Sequence, residues 1–239
     1  MTARPVPHPY AGLAPRPTAR HALWALGLFL LSAAGALACG IGLGLLAEEI
    51  GADAAPFISL GVVLGAAIPA TTVLWVGFVR RCGWGLRELG FTTPTRSLWH
   101  LVWWTPLSIL LAALGASFLG PFIGAEPEGA AIDEGFRLGP VAGVVIFAGA
   151  ALLAPFFEEI LFRRVMLDWL ATRMPMWAAA VIVTVVFTVM HGSPSVMAYI
   201  IFFATSLVLA RLWFSSLWAT FILHAVNNTL VTAIALAAL

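Results

Sequence analysis

Seven long apolar runs set the pattern of this chain. Each run approaches the roughly 20 residues that an α-helix needs to cross a bilayer, and the apolar–polar alternation of a β-strand does not occur between them. The predicted fold class is therefore all-α, a polytopic transmembrane helix bundle of about seven spans, within a range of six to eight. The predicted helices cover 22–46, 57–79, 97–120, 139–162, 175–192, 195–213 and 216–238.

The composition indicates that most of the protein surface faces lipid and not water. Of the 239 residues, 62% are hydrophobic and 10% are charged, and the mean hydropathy is +1.01. A soluble domain is about half apolar and a quarter charged. The net charge of +1 lacks the basic excess of a nucleic-acid-binding protein, so no nucleic-acid partner is expected. Cys39 and Cys82 show neither a metal-binding nor a disulfide spacing.

The connections between the runs indicate the orientation. Arginines recur on every second connection and acidic residues gather on the others, so the positive-inside rule places the N-terminus in the cytoplasm. Residues 1–20 are rich in proline and are predicted to form a disordered cytoplasmic tail, with 21–239 as a single transmembrane domain. The segment 84–91 is predicted to anchor the chain at the cytoplasmic interface. The arginines are Arg4, Arg16, Arg20, Arg80, Arg81, Arg87, Arg96, Arg163, Arg164, Arg173 and Arg211; the acidic residues opposite are Glu48, Glu49, Asp53, Glu126, Glu128, Asp133 and Glu134, with Arg137 as the exception among them.

Four of the runs carry polar side chains that lipid would not accommodate; in the third this is His100, which is predicted to lie at the membrane interface because it is close to the start of the run. Ionisable groups at membrane depth are energetically costly and by default mark function. The fourth run contains two adjacent glutamates, one of them four residues before an arginine; the fifth ends in a histidine; the last has a histidine four residues before an asparagine. These residues are Glu158, Glu159, Arg163, His191, His224 and Asn228, and Asn227 with Asn228 makes up all the asparagine in the chain.

Helix geometry predicts how the groups are arranged. The fourth and fifth helices are predicted to turn at 174–175, because proline favours a helix start. Glu158 lies about 16 positions before that turn and His191 about 16 after it, so at 1.5 Å per residue an antiparallel hairpin sets them level. Glu159 and Arg163 are four apart and share a helix face, which favours an ion pair. Glu158 points about 100° away from that face.

These residue types suit the hydrolysis of a carbonyl compound. A carboxyl group in a pocket of low dielectric constant can act as a general base, and with a histidine it can activate water. A second histidine and an asparagine can donate hydrogen bonds to the oxyanion, an effect worth roughly a few kcal/mol. Alternatively, Glu158 or Glu159 with His191 and His224 binds a divalent metal that activates the water. Pro155 is predicted to bend the helix just before the glutamates.

Two further interpretations of the buried groups stay open. In one, the groups only hydrogen-bond to each other and fix helix packing. In the other, they form a proton relay in a small transporter, which the absence of an internal sequence repeat disfavours. Asn227 is predicted to form a hydrogen bond between helices, and Arg164 and Arg173 are predicted to be cytoplasmic anchors.

The three motifs together resemble those of the CPBP intramembrane proteases. This family includes the CAAX prenyl endopeptidases and bacterial relatives linked to bacteriocin processing or immunity. The resemblance covers about residues 140–235, and this chain departs from it at Arg164, where members often have glycine. The matching residues are Glu158-Glu159-x-x-x-Arg163, Phe187-x-x-x-His191 and His224-x-x-x-Asn228, and the stretch 86–91 is similar to one found in bacterial members.

The resemblance implies an intramembrane endopeptidase with a conical cavity inside the membrane. Its substrate would be a membrane-anchored or membrane-associated protein or peptide, and its location a bacterial plasma membrane. The competing function is a non-catalytic membrane interaction or bacteriocin-immunity protein with the same fold. By this analogy Glu158 and His191 activate water, His224 and Asn228 stabilise the oxyanion, and Glu159 with Arg163 supports the site.

The resemblance leaves two catalytic types open. Members of the family have been described both as glutamate-type peptidases and as metalloproteases. We favour the glutamate type, with no cofactor. The alternative is a divalent metal such as zinc, held by Glu158, His191 and His224.

Overall fold

Seven helices make up most of the described chain. The computed structural model describes residues 16–124 and 133–237. Within these residues there is no strand, six helices are long and apolar enough to cross a membrane, and a seventh apolar helix is shorter. The predicted all-α transmembrane bundle is confirmed. The helices are α1 (Ala19–Glu49), α2 (Ala54–Arg81), α3 (Leu98–Phe122), α4 (Pro140–Leu170), α5 (Met176–Val189), α6 (Pro194–Phe214) and α7 (Leu217–Ala237).

Helix α4 is longer than predicted and ends at Leu170 instead of residue 162. The sequence-based boundary is wrong because Arg163 and Arg164, followed by Asp168, interrupt the apolar run, and the two arginines are predicted on the cytoplasmic connection. In the structure all three side chains are buried between helices. Ion pairs within the protein take the place of water around them.

Two π-helical turns divide α4: the first precedes the glutamate pair, and the second begins at Glu159, the second member of the pair. They are Gly149–Leu153 and Glu159–Met166, with α-helical Ala154–Glu158 between them. In the first π turn the Ala154 N–H donates to the Gly149 carbonyl, five residues back. Pro155 has no N–H with which to continue that ladder. The Ala150 carbonyl, five residues before Pro155, is therefore left without a backbone donor from that position.

Helix α5 is shorter than predicted and ends at Val189. His191, predicted at the end of this helix, instead lies in the turn that follows it. Gly192 has a φ of +72°, which glycine adopts without strain. Pro194 then occupies the first turn of α6, where a missing N–H has no cost.

Helices α1 and α2 form a closely packed antiparallel hairpin. A Cβ on Gly35 would collide with the backbone of Gly65, and a Cβ on Gly65 would collide with that of Gly35. Small residues at such crossings let transmembrane helices approach through their backbones. The pair forms one wall of the cavity described below.

The segment 84–91 belongs to the core of the bundle. Trp84, Leu89 and Phe91 are buried and pack in one cluster with residues of α1, α2, α4 and α7. The Gly90 carbonyl accepts a hydrogen bond of 2.9 Å from the Leu217 N–H at the start of α7. The predicted interfacial anchor is therefore wrong for these three apolar side chains, because the bundle itself offers them a larger apolar surface.

Several arginines used to predict the orientation lie inside helices. Arg163, Arg164 and Arg211 are buried, so only the remaining arginines bear on the positive-inside argument. The predicted anchoring role of Arg164 is wrong, whereas Arg173 is exposed. Arg137, the exception on the acidic side, pairs with Glu134 at 3.1 Å.

Some predicted features fall outside the described residues. Most of the predicted tail, including Arg4, lies in residues 1–15, and Glu126 and Glu128 lie in 125–132. At the other end of the tail, α1 begins at Ala19. Asp133–Leu138 forms a short 3-10 segment before α4.

Candidate active site

The two adjacent glutamates of α4 have different environments. The Glu158 side chain is 31% exposed and lines a cavity, whereas the Glu159 side chain is 0% exposed. The π turn begins at Glu159, directly after the short α-helical stretch that contains Glu158. The helix therefore sends one carboxylate to the cavity and the other into the protein.

Glu159 is held by two cationic or hydrogen-bonding partners. Its Oε1 accepts from Arg163 Nη1 at 3.0 Å and lies 2.9 Å from His224 Nδ1. Arg163 has no exposed surface, and its guanidinium lies over the Phe187 ring at 4.2 Å. Such charge-assisted contacts are about twice as strong as neutral hydrogen bonds. The predicted ion pair between Glu159 and Arg163 is present.

His224 of α7 lies between the two glutamates. Because an ionised carboxylate only accepts, His224 Nδ1 must donate its proton to Glu159. The other ring nitrogen, Nε2, is 3.6 Å from Glu158 Oε2. The imidazole is 2% exposed and contacts the rings of Phe187 and Phe203 edge-on. His224 therefore joins the buried carboxylate to the carboxylate in the cavity.

His191 reaches the same cavity from the turn after α5. Its Nδ1 lies 2.8 Å from the Phe187 carbonyl oxygen, four residues back. Because a carbonyl only accepts, Nδ1 carries the proton and Nε2 keeps its lone pair. His191 and Glu158 both line the cavity. The carbonyl thus sets the histidine tautomer that can accept a proton.

Asn228 contacts the first π turn of α4. Its Nδ2 donates to the Ala150 carbonyl at 3.0 Å. In the i−5 ladder that carbonyl would receive the N–H of residue 155, which is proline. Asn228 thus replaces the missing backbone donor, and its amide keeps a second hydrogen.

Asn227 joins helices α6 and α7. Its Oδ1 accepts from the Tyr199 hydroxyl at 2.7 Å, and its Nδ2 donates to Asn228 Oδ1 at 3.2 Å. The predicted interhelical hydrogen bond of Asn227 is present. It also fixes the orientation of the Asn228 amide.

An apolar cavity of about 360 Å³ opens in front of Glu158 and His191. Four helices contribute to it: α1, α2, α4 and the end of α5. Among the described residues that line it, most are alanine or larger apolar residues, and Ser32, Glu158 and His191 are the polar ones. The small side chains are Ser32, Ala33, Ala36, Ala66, Ala67, Ala70, Gly149, Ala150 and Ala154. Neither His224 nor Asn228 lines it.

Among the described side chains, no group of three or more histidine, cysteine, aspartate or glutamate residues is placed to hold a metal ion. His224 Nδ1 contacts Glu159, which Arg163 also engages, and His224 Nε2 faces Glu158. A zinc site needs at least three protein ligands directed at one point.

A second set of buried charges was not predicted as part of the site. Asp168 accepts from Arg164 at 2.7 Å and from Arg211 at 3.3 Å. The spacing of four residues between Arg164 and Asp168 was a usable signal for their pair. Arg211 gave only the weaker signal of a lone arginine near the end of an apolar run.

Comparisons with known proteins agree with the motifs. Residues 140–230 match the sequence model of the family described as type II CAAX prenyl endopeptidase Rce1-like. This range contains α4 to α6, most of α7 and every predicted site residue. Neither the comparison with curated proteins nor the comparison with solved structures gave a match.

Proposed function

We propose that the protein is an intramembrane endopeptidase of the glutamate type, because residues 140–230 match the sequence model of the family described as type II CAAX prenyl endopeptidase Rce1-like. The observation that carries the proposal is that Glu158 and His191, from α4 and the turn after α5, line one apolar cavity. The substrate is a peptide segment of a membrane-associated or membrane-anchored protein. An apolar cavity suits a segment that already resides in lipid.

In the proposed reaction Glu158 is the general base. A water molecule between Glu158 and His191 loses one proton to the carboxylate as its oxygen bonds to the scissile carbonyl carbon. The Nε2 lone pair of His191 accepts the other water hydrogen and orients the molecule. The carbonyl π electrons move to oxygen and give a tetrahedral oxyanion. Glu158 then returns its proton to the amide nitrogen as the C–N bond breaks.

His224 and Asn228 are the proposed oxyanion donors. In this role both ring nitrogens of His224 carry a proton: Nδ1 donates to Glu159, and Nε2, 3.6 Å from Glu158, donates to the developing oxyanion, which leaves Glu158 free to accept the water proton. Asn228 has a second amide hydrogen available besides the one given to Ala150. Glu159 and Arg163 hold the His224 ring in place from the other side. They support the site without touching the substrate.

The proposal also covers the setting of the enzyme. The protein is an integral membrane protein, since six helices of the described chain are long and apolar enough to span a bilayer. We propose a bacterial plasma membrane from the resemblance of the motifs, and a cytoplasmic N-terminus on the strength of the exposed arginines Arg20, Arg80, Arg81, Arg87 and Arg96 at one end of the bundle.

The experiment compares membranes that contain the wild type with membranes that contain Glu158→Gln at equal abundance. New peptide termini in the membrane proteins are mapped by mass spectrometry. The proposal predicts termini that appear only with the wild type and that are lost equally in His191→Gln. Identical termini in all three samples would contradict a protease and favour the non-catalytic interaction protein.

A further inference from the structure

Three buried charged side chains lie outside the proposed reaction. Arg164, Asp168 and Arg211 are 3%, 4% and 0% exposed. Arg164 Nη1 and Arg211 Nη2 both donate to Asp168 Oδ2, at 2.7 and 3.3 Å. Taking ions out of water costs several kcal/mol each in a folded protein, and an apolar core of the same volume would often be as stable. A role beyond stability is therefore expected for this cluster.

Arg211 connects the cluster to the helix that contains the active-site glutamates. Its Nε donates to the Arg163 carbonyl at 3.3 Å. The preceding carbonyl, of Phe162, accepts from Leu167 five residues later, at the end of the second π turn. A helix that returns from i−5 to i−4 bonding skips one carbonyl at the transition. The guanidinium of Arg211 supplies a donor at that position.

The geometry of arginine suits this contact. Nε and Nη2 lie on one edge of the planar guanidinium and here donate to two different acceptors, the Arg163 carbonyl and the Asp168 carboxylate. A lysine ammonium has no such fixed pair of donors. By accepting from Nη2, Asp168 therefore fixes the plane of the Arg211 guanidinium, and with it the direction in which Nε donates to the π turn.

The cluster also reaches the segment 84–91 at the other side. Arg164 Nε donates to the Glu88 carbonyl at 2.7 Å, and its guanidinium lies over the Trp84 ring at 4.9 Å. The buried charges thus join α6, α4 and this segment. The π turn is held from both sides.

We propose that Arg211 is a positioning residue for the peptidase reaction. It fixes the second π turn through the Arg163 carbonyl, and so fixes the Arg163–Glu159–His224 chain that orients the oxyanion donor. The inference rests on the proposed function for its effect on catalysis. Its structural part, the restraint of the π turn, stands on the distances alone.

The charge balance provides a testable variant. Of the three side chains, two are cations and one is an anion, so Arg211→Met leaves a neutral Arg164–Asp168 pair and a side chain of similar length. This change avoids the unpaired buried ion that makes most such substitutions destabilising. Arg173→Met is the matched control, because Arg173 also donates to a backbone carbonyl of α4, that of Trp169, but is exposed.

The first measurement is the turnover of the purified, reconstituted variants. Arg211→Met is expected to lower kcat about tenfold or more at temperatures where it is folded, because small displacements of an active-site group are costly, with KM unchanged and the unfolding temperature lowered, because the Arg163 carbonyl loses its donor. Arg211→Lys keeps the charge and recovers only a small part of kcat, and Arg173→Met matches the wild type. Wild-type kcat in Arg211→Met overturns the inference. If Arg211→Met does not fold, wild-type kcat in Arg211→Lys has the same meaning.

The second measurement is hydrogen exchange of the amides in 159–170. Faster exchange is expected in Arg211→Met and unchanged exchange in Arg173→Met. Unchanged exchange in Arg211→Met overturns the inference whatever the activity. If the wild type itself cleaves nothing, the proposed function fails, and the exchange result still decides whether Arg211 restrains the turn.

Discussion

Glu158 and Glu159 are neighbours in the sequence but have different roles in the structure. The sequence already predicts that they point in different directions, because adjacent helical positions differ by about 100°. It also pairs Glu159 with Arg163 by their spacing. It could not show that His224 lies between the two carboxylates, because that contact depends on how α7 is offset against α4.

Amide substitutions of the two glutamates should have opposite consequences. Glu158→Gln should leave stability within roughly 0.5 kcal/mol, since the side chain is partly exposed, and should abolish turnover. Glu159→Gln should lower the free energy of unfolding by roughly 3–5 kcal/mol, because Arg163 becomes an unpaired buried ion. Unfolding in mixed micelles and turnover of the same preparations test both. Equal losses of unfolding free energy in the two variants would contradict the assignment of Glu158 to the cavity and of Glu159 to the protein interior.

The two ring nitrogens of His224 can be separated by substitution. In His224→Asn the side-chain amide can replace Nδ1 as donor to Glu159, but nothing occupies the place of Nε2. The variant should fold and lose about 100-fold in kcat, the usual effect of one oxyanion donor. Circular dichroism and turnover are the measurements. A folded His224→Asn protein with wild-type kcat would remove Nε2 from the mechanism.

At the scale of elements, α4 is organised by its two π turns. The sequence places Pro155 three residues before Glu158, which predicts a disturbed helix there. It does not predict that the turns are π-helical, because each turn leaves a carbonyl oxygen that accepts a hydrogen bond from a side chain of another helix. Those donors, Asn228 and Arg211, are distant in sequence.

A double-mutant cycle tests the pairing of Pro155 with Asn228. Asn228→Ala should destabilise the protein by roughly 1–3 kcal/mol, since the part-buried Ala150 carbonyl loses its donor. In Pro155→Ala/Asn228→Ala the new N–H at position 155 can reach that carbonyl, so at least about 1 kcal/mol should return. Unfolding measurements on the wild type, the two single variants and the double variant give the coupling free energy. If the stability losses of the two single variants add up to the loss in the double variant, the N–H of residue 155 does not replace the Asn228 amide as the donor.

The same cycle separates the two roles of Asn228. The double variant should regain stability but not turnover if the second amide hydrogen serves the oxyanion. Recovery of both stability and kcat would make Asn228 a packing residue only. The single variant Pro155→Ala serves as the control for any change in the cavity wall.

At the scale of the molecule, nearly half of the cavity lining comes from helices outside the matched family region. Helices α1 and α2 supply much of its wall, yet the motifs lie in 140–230. Apolar periodicity predicted that these two helices exist. The periodicity could not predict which face of α1 and α2 packs against α4. Almost every face is apolar, and an alanine side chain packs as well against lipid as against protein.

A bulky side chain in this wall should impair substrate entry. Ala36 lines the cavity, whereas Ala34, two residues earlier in α1, is exposed and is not among its lining residues. Ala36→Phe should lower kcat/KM about tenfold or more by filling the binding space, and Ala34→Phe should leave it unchanged. Kinetics on one cleaved peptide give the comparison. Equal values in the two variants would place substrate binding elsewhere.

The most direct test of the account is peptide cleavage by purified protein in liposomes, with and without a chelator. The account predicts cleavage by the wild type that the chelator does not change and that Glu158→Gln lowers by at least about 100-fold, because the general base is lost. Wild-type rates in Glu158→Gln would contradict the role of this carboxylate. Loss of wild-type activity on chelation, restored by zinc, would contradict the metal-free mechanism.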